Sequence, residues 1–133
     1  MTIFVDTSAL YALLDADDIN HAAARSAFEA LRDAELTTHA YVVVESLALV
    51  SRRLGRDAAL HLIDDLLPVI RTEPVDTTLH AMSLTAFRDA NTPRVSFVDR
   101  TSFAFMRLHG IEVAFAFDQD FARAGLGVLP GQT

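Results

Sequence analysis

The sequence predicts an α/β domain built on a parallel sheet. Short apolar runs alternate with longer stretches of helical periodicity along the whole chain, as in strands joined by crossover helices. Two of those runs end on an aspartate, Asp6 and Asp118. With 133 residues and 51% apolar content, the chain has the length for one domain with a real core and too much apolar material for disorder.

Thr2–Val5 reads as a buried strand ending at Asp6, and Thr7–Asp15 as a short helix with Thr7 or Ser8 available as N-cap. Ile19–Ala34 has helical spacing, with Ile19, Ala23, Ala27, Ala30 and Leu31 on one face. Leu36–His39 is a weak strand. Ala40–Gly55 is a helix despite its Val42–Val44 run, because arginines and a glycine close it. Arg56–Pro68 is a further helix stopped by Pro68, and Val69–Val75 a strand that Pro74 ends. Asp76–Ala90 is a helix and Asn91–Arg94 a turn. Ser96–Gly110 is a helix apolar nearly all round, hence buried. Glu112–Phe117 is a strand, followed by a short helix and the terminal "GVLP". There is no repeat, linker or low-complexity segment.

Composition removes several classes of function. The chain has no cysteine, which excludes disulfides, thiolate metal sites and cysteine nucleophiles. No apolar run reaches the roughly 20 residues of a membrane span, and the N-terminus lacks the pattern of a secretory signal. A cytoplasmic protein with no membrane partner is expected. The formal net charge of −7 argues against a nucleic-acid partner if taken as a bare sum. Acids gathered in one cleft would leave room for a basic rim elsewhere. All basic side chains are arginine, a bias that GC-rich codon usage explains. The five histidines are scattered without metal-ligand spacing, and most are expected at surfaces or helix ends. No nucleophile elbow or glycine-rich phosphate loop is present.

The acids are more informative. In open α/β sheets ligands bind beyond the carboxyl ends of the strands, where Asp6 and Asp118 stand. Each of these has a plain alternative role as a helix cap. Asp99 follows Ser96 with the spacing of a capping box. Glu45 interrupts the apolar "YVVVESLALV"; either Arg52 neutralises it or a cation from outside the helix does. If Asp6, Glu45, Asp99 and Asp118 gather, with Asp120 as a fifth, repulsion is severe: about 4 kcal/mol for two unit charges 4 Å apart at a dielectric near 20. Only cations hold such a cluster together. Oxygen-only ligation selects Mg2+ or Mn2+, whose chemistry suits phosphodiester hydrolysis.

"IFVDTSALYALLD", "VVVESLALVSRRLG" and "VSFVDRTSFAFMRLHGIEVAFAFDQDF" together resemble PIN-domain ribonucleases, nearest to the VapC toxins of toxin–antitoxin modules. The resemblance covers essentially the whole chain, residues 1–133, as one domain. It implies a three-layer α/β/α sandwich around a parallel sheet and a Mg2+- or Mn2+-dependent endoribonuclease. It places the acidic quartet on Asp6, Glu45, Asp99 and Asp118, with Asp120 as a further acid and Ser8 as a support that orients a ligand or water. Gln119 departs from the family pattern, which often has a basic residue there. The resemblance also implies an RNA substrate, a cognate antitoxin and a homodimer; "AYVVVESLALV" and the alanine-rich second helix are candidate surfaces for such contacts. Arg100, beside Asp99, is either a phosphate contact at the cleft rim or a surface arginine. Arg52 and Arg53 are either rim residues or helix C-caps. A receiver-like phosphoaspartate module is disfavoured, because the chain has no lysine and no second acid two residues after Asp6. A non-catalytic binding domain is disfavoured because no acid is missing.

Overall fold

Ile3, Phe4 and Val5 are completely buried and form the centre of a five-stranded, all-parallel sheet. The computed structural model describes residues 1–131. Its strands are β1 (Thr2–Val5), β2 (Glu35–His39), β3 (Arg71–Glu73), β4 (Val113–Phe115) and β5 (Gly127–Leu129), in the order β3-β2-β1-β4-β5. The described helices are α1 (Thr7–Leu14), α2 (His21–Ala30), α3 (Ala40–Leu54), α4 (Arg56–His61), α5 (Thr77–Asp89), α6 (Phe97–Leu108) and α7 (Asp120–Arg123). Parallel strands are joined by right-handed crossovers. From β1 the chain moves through β2 to β3, so α1 to α4 cover one face. It then returns across the sheet to β4 and on to β5, which puts α5 to α7 on the other. The result is the expected three-layer α/β/α sandwich.

β1 and β4 are neighbours from which the chain departs in opposite directions. Ile3 pairs with Val113, Phe4 with Ala114 and Val5 with Phe115, and the Asp6 N–H donates to Phe115 O at 3.1 Å. This is the topological switch point of the sheet, where a crevice opens at the carboxyl ends. One side of the core is aromatic: Phe4 lies 5.8 Å from Phe105 and 6.1 Å from Phe121, centroid to centroid.

Several elements differ from the sequence expectation. β5 was not expected. It is three residues long and packs so close to β4 that a Cβ on Gly127 would meet Val113 Cγ2 at 3.2 Å. The second helix is shorter than Ile19–Ala34 and its inward face is rotated: Ala27 and Leu31 pack inward as expected, but Ala24 and Phe28 take the place of Ala23 and Ala30. Ala24 is buried with Ala27, Phe28 and Leu31 against the core, while Ile19 is 96% exposed. The large Phe28 decides the face that the small alanines leave ambiguous. The helix expected over Arg56–Pro68 keeps α-geometry only to His61, then widens to a π-turn at Leu62–Leu66 and tightens to a 3₁₀ turn at Leu67–Val69. Pro68 lacks an N–H and its ring crowds the preceding turn, which accounts for the change. No helix among the described residues is long and apolar enough to cross a membrane.

Candidate active site

Asp6 leaves β1 as the N-cap of α1, accepting from the Ser8 N–H at 3.1 Å and the Ser8 hydroxyl at 2.6 Å, both on Oδ2. The same hydroxyl accepts from the Phe117 N–H at 2.9 Å. Ser8 therefore stitches the end of β1 to the segment that carries Asp118, across the switch point. The capping role expected of Asp6 is real, but it uses one oxygen only. Oδ1 is buried with no partner among the described residues, an arrangement that costs about 1–3 kcal/mol for a neutral group and more for a charge.

Asp99 lies in the first turn of α6 and is 8% exposed. Its backbone N–H donates to Ser96 Oγ at 3.0 Å, which is half of a capping box. No return bond from the Asp99 carboxylate to Ser96 is found among the described residues, so the side chain is left for the crevice. Asp118 follows β4 and accepts from the Asp120 N–H at 2.9 Å; the N-cap of α7 is Gln119, so this bond closes the turn before the helix rather than capping it. Glu45 is half-buried in α3. Among the described residues it forms no ion pair with Arg52, which is exposed in the last turn of the same helix.

Mutual repulsion shows which acids converge. Burial raises Asp6 to about 6, with Asp118 and Glu45 adding to the rise against the hydrogen bonds from Ser8. Asp99 is raised to about 8, first by burial, then by the charges of Asp6 and Asp118, a hydrogen bond with Asp118, and the charge of Glu45. Four of the predicted acids thus share one crevice. Oxygens of Asp99, Asp118 and Asp120 also lie within 4.8 Å of one another. Asp120 differs from the rest in being paired with Arg123 at 3.1 Å and approached by Arg94 at 4.0 Å. A set of carboxylates with a buried, unpartnered oxygen fits a hard divalent cation.

The predicted arginines are placed differently. Arg100 donates through Nη2 to Thr92 Oγ1 in the loop before α6, and its Nε is buried without a partner among the described residues. Arg123 and Arg94 are the arginines that reach the acids. Arg53 lies 5.7 Å from the centre of the Tyr11 ring, and both it and Arg52 belong to the last turn of α3, away from Glu45. Gln119 accepts from Arg123 Nη2 at 3.1 Å, so a cation is supplied to that position from one helical turn away.

Sequence reasoning missed the polar layer behind the acids. His39 is completely buried and caps α3 through Nδ1, which accepts from the Tyr41 N–H at 3.2 Å. Its Nε2 then donates to Ser102 Oγ at 2.8 Å, and that hydroxyl donates to Val98 O at 3.0 Å. The start of the helix bearing Glu45 is thereby tied to the first turn of the helix bearing Asp99. Burial lowers the imidazole to about 4, keeping it neutral. Thr38 adds a bond to Val5 O at 2.8 Å. The signal was available: a histidine between a strand and a helix occupies an N-cap position.

The PIN domain family model matches residues 3–126. The chain belongs to the PIN domain family. This PIN domain is 38% identical to the 23S rRNA-specific endonuclease VapC20 of Mycobacterium tuberculosis, over 92% of this chain and 94% of the relative. It superposes on the crystal structure of that protein, described as a Sarcin-Ricin loop cleaving toxin, with a TM-score of 0.85 and 36% identity over 93% of this chain and 95% of that one. FitAcB from Neisseria gonorrhoeae has the same fold, with a TM-score of 0.69 at 19% identity, covering 96% of each chain.

Proposed function

We propose that this chain is a divalent-metal-dependent endoribonuclease acting as the toxin of a toxin–antitoxin pair. The observation that carries the reading is the convergence of Asp6, Glu45, Asp99 and Asp118 at the switch point, with one buried Asp6 oxygen lacking a partner. In this reading Asp6, Asp99 and Asp118 hold Mg2+, or Mn2+ in its place, with Glu45 a ligand directly or through water and Asp120 a further ligand. A cation bound there lowers the pKa of an attacking water and steadies the charge on the phosphate.

The chain's own side chains prepare that chemistry. Ser8 holds Asp6 in one orientation, so that its free oxygen points away from the cap. The His39–Ser102 link fixes the relative placement of α3 and α6, and with it Glu45 against Asp99. In this reading water is the nucleophile: it gives up a proton and bonds to phosphorus as the P–O3′ bond breaks, the leaving 3′-oxygen takes a proton from water, and no side chain forms a covalent intermediate. Arg123 and Arg94, now paired with Asp120, suit forked contacts to phosphate. Arg100, beside Asp99 and bonded through Nη2 to Thr92, is a further phosphate contact in this reading.

The substrate named for VapC20 makes large-subunit ribosomal RNA the first RNA to test. In this reading the protein works in the cytoplasm, as a single domain over residues 1–133 and as a homodimer silenced by a cognate antitoxin. Exposed Val44 on α3 and Met82 and Leu84 on α5 offer apolar surface for those contacts. Sequencing of RNA ends after induced expression tests the proposal. New ends at a discrete ribosomal RNA position, absent with Asp99→Asn, are expected; an unchanged RNA profile would contradict it.

A further inference from the structure

The chain carries two aromatic groups of different character. The first is core: Phe4, Phe105, Phe115 and Phe121 are all under 2% exposed. The second is open to solvent. Tyr41 and Phe97 are half-buried with ring centroids 6.0 Å apart, and exposed His80 lies 5.9 Å from each. Phe87, which is 48% exposed, extends the group at 6.1 Å from Phe97.

Its position ties this open group to the crevice. Tyr41 is one helical turn before Glu45, so the two side chains leave the same face of α3. Phe97 opens α6 two residues before Asp99. His80 is in the first turn of α5, which begins after β3. All three helices start at the carboxyl end of the sheet, and their rings meet there. The rings also have polar edges: Tyr41 Oη and His80 Nδ1 are hydrogen-bonded at 2.6 Å. With the phenol donating, the outer nitrogen of His80 carries the proton and presents a donor to solvent.

We propose that Tyr41 and Phe97, whose rings are inclined by 32°, form a stacking platform for an unpaired nucleobase next to the scissile phosphate, with His80, which stands edge-on to them at 88° and 76°, as the donor at its side. The proposal rests on the endoribonuclease reading and adds to it a base-recognition site. RNA is read largely through splayed-out bases that stack on aromatic rings and hydrogen-bond along their edges. A base satisfies both the ring faces and the imidazole donor, whereas an apolar protein ridge would leave that donor unpaired. In a chain with a net charge of −7, stacking also supplies affinity that phosphate contacts alone supply poorly.

The test uses the full chain carrying Asp99→Asn, which slows cutting, and a single-stranded RNA oligonucleotide containing the fluorescent base 2-aminopurine. Binding is measured by fluorescence quenching at several salt concentrations, with molar mass from light scattering. Adding Tyr41→Ala or His80→Ala should weaken binding roughly tenfold and reduce quenching, leaving the salt dependence unchanged because no phosphate contact is lost. Tyr41→Phe should preserve the quenching. His80 is exposed, so its variant reads the platform even if Tyr41→Ala fails to fold. Unchanged binding and quenching in the alanine variants would overturn the platform alone. Loss of binding together with a change in molar mass would assign the rings to a protein interface and also overturn it. If the parent binds no RNA and the wild-type protein cuts none, the endoribonuclease reading falls and the platform falls with it.

Discussion

Asp6 and Asp120 are at opposite extremes of the same crevice. Asp6 is buried, held by Ser8 on one oxygen and unpartnered on the other. Asp120 is half-buried at the start of a four-residue helix, and arginines neutralise it. The β1 corner therefore has a carboxylate fixed in place and short of a counter-charge. The β4 corner has one whose counter-charge is already within the chain. A cation gains most at the first corner and must compete with Arg123 at the second. The difference teaches that proximity to the cluster does not by itself make acids equivalent.

The strongest way to break this contrast is to remove a central acid. Asp6→Asn or Asp99→Asn should lower RNA cleavage by roughly 10³-fold or more, about 4 kcal/mol of transition-state stabilisation, measured as initial rates on an RNA substrate. Retained cutting by either variant would show that the β1 corner is not the centre of the site. Ser8→Ala comes next. It leaves every acid in place but frees Asp6 to rotate and deprives Phe117 N–H of its acceptor. Loss of such a supporting partner costs roughly 10–100-fold in metal affinity or activity, to be read by calorimetric Mn2+ titration beside the cleavage rate.

The contrast sharpens further at the β4 corner. Asp120→Asn should impair cleavage less than Asp118→Asn, by about a factor of ten, and Arg123→Ala should tighten Mn2+ binding by removing a competitor for Asp120. Equal losses at Asp118 and Asp120 would erase the distinction.

The smallest effect is on stability. Asp6 and Asp99 have folded-state values above the ordinary 3.8, so the metal-free fold binds more protons than the unfolded chain. Their contribution is present at acid pH and is lost as pH rises through about 6 for Asp6 and about 8 for Asp99. His39, lowered from 6.5 to about 4, acts in the opposite sense, its contribution being present above 6.5 and lost as pH falls toward 4. Above pH 6.5 the loss is therefore dominated by Asp99. In chelator the melting temperature should fall on the order of 5 °C between pH 6.5 and 8. Saturating Mn2+ or the Asp99→Asn change should flatten that slope. A slope unaffected by either would contradict mutual repulsion as its cause.

What could be read from the sequence divides along physical lines. β1, α3, α6 and β4 were legible because long periodic segments or fully apolar runs specify them, and these elements carry Asp6, Glu45, Asp99 and Asp118. β5 was not, because three residues beginning with glycine have too little pattern; its pairing depends on close approach to β4, a tertiary fact. The inward face of α2 was legible only in part, at Ala27 and Leu31, because alanines fit any face and Phe28 decides the rotation. The convergence of the acids could be argued from strand ends, but not the pairing of Asp120 with Arg123 and Arg94, since surface ion pairs have no sequence signature beyond spacing. The role of His39 was not legible because it has no metal-ligand spacing and depends on a tertiary contact: it caps α3 and bonds across to Ser102 on α6.

The most direct measurement is cleavage of ribosomal RNA by the purified full chain in chelator, followed by addition of Mg2+ or Mn2+ in excess. The carboxylate crevice predicts no cutting in chelator, full recovery on adding either ion, and no recovery for Asp99→Asn under the same conditions. Undiminished cutting in chelator would contradict it.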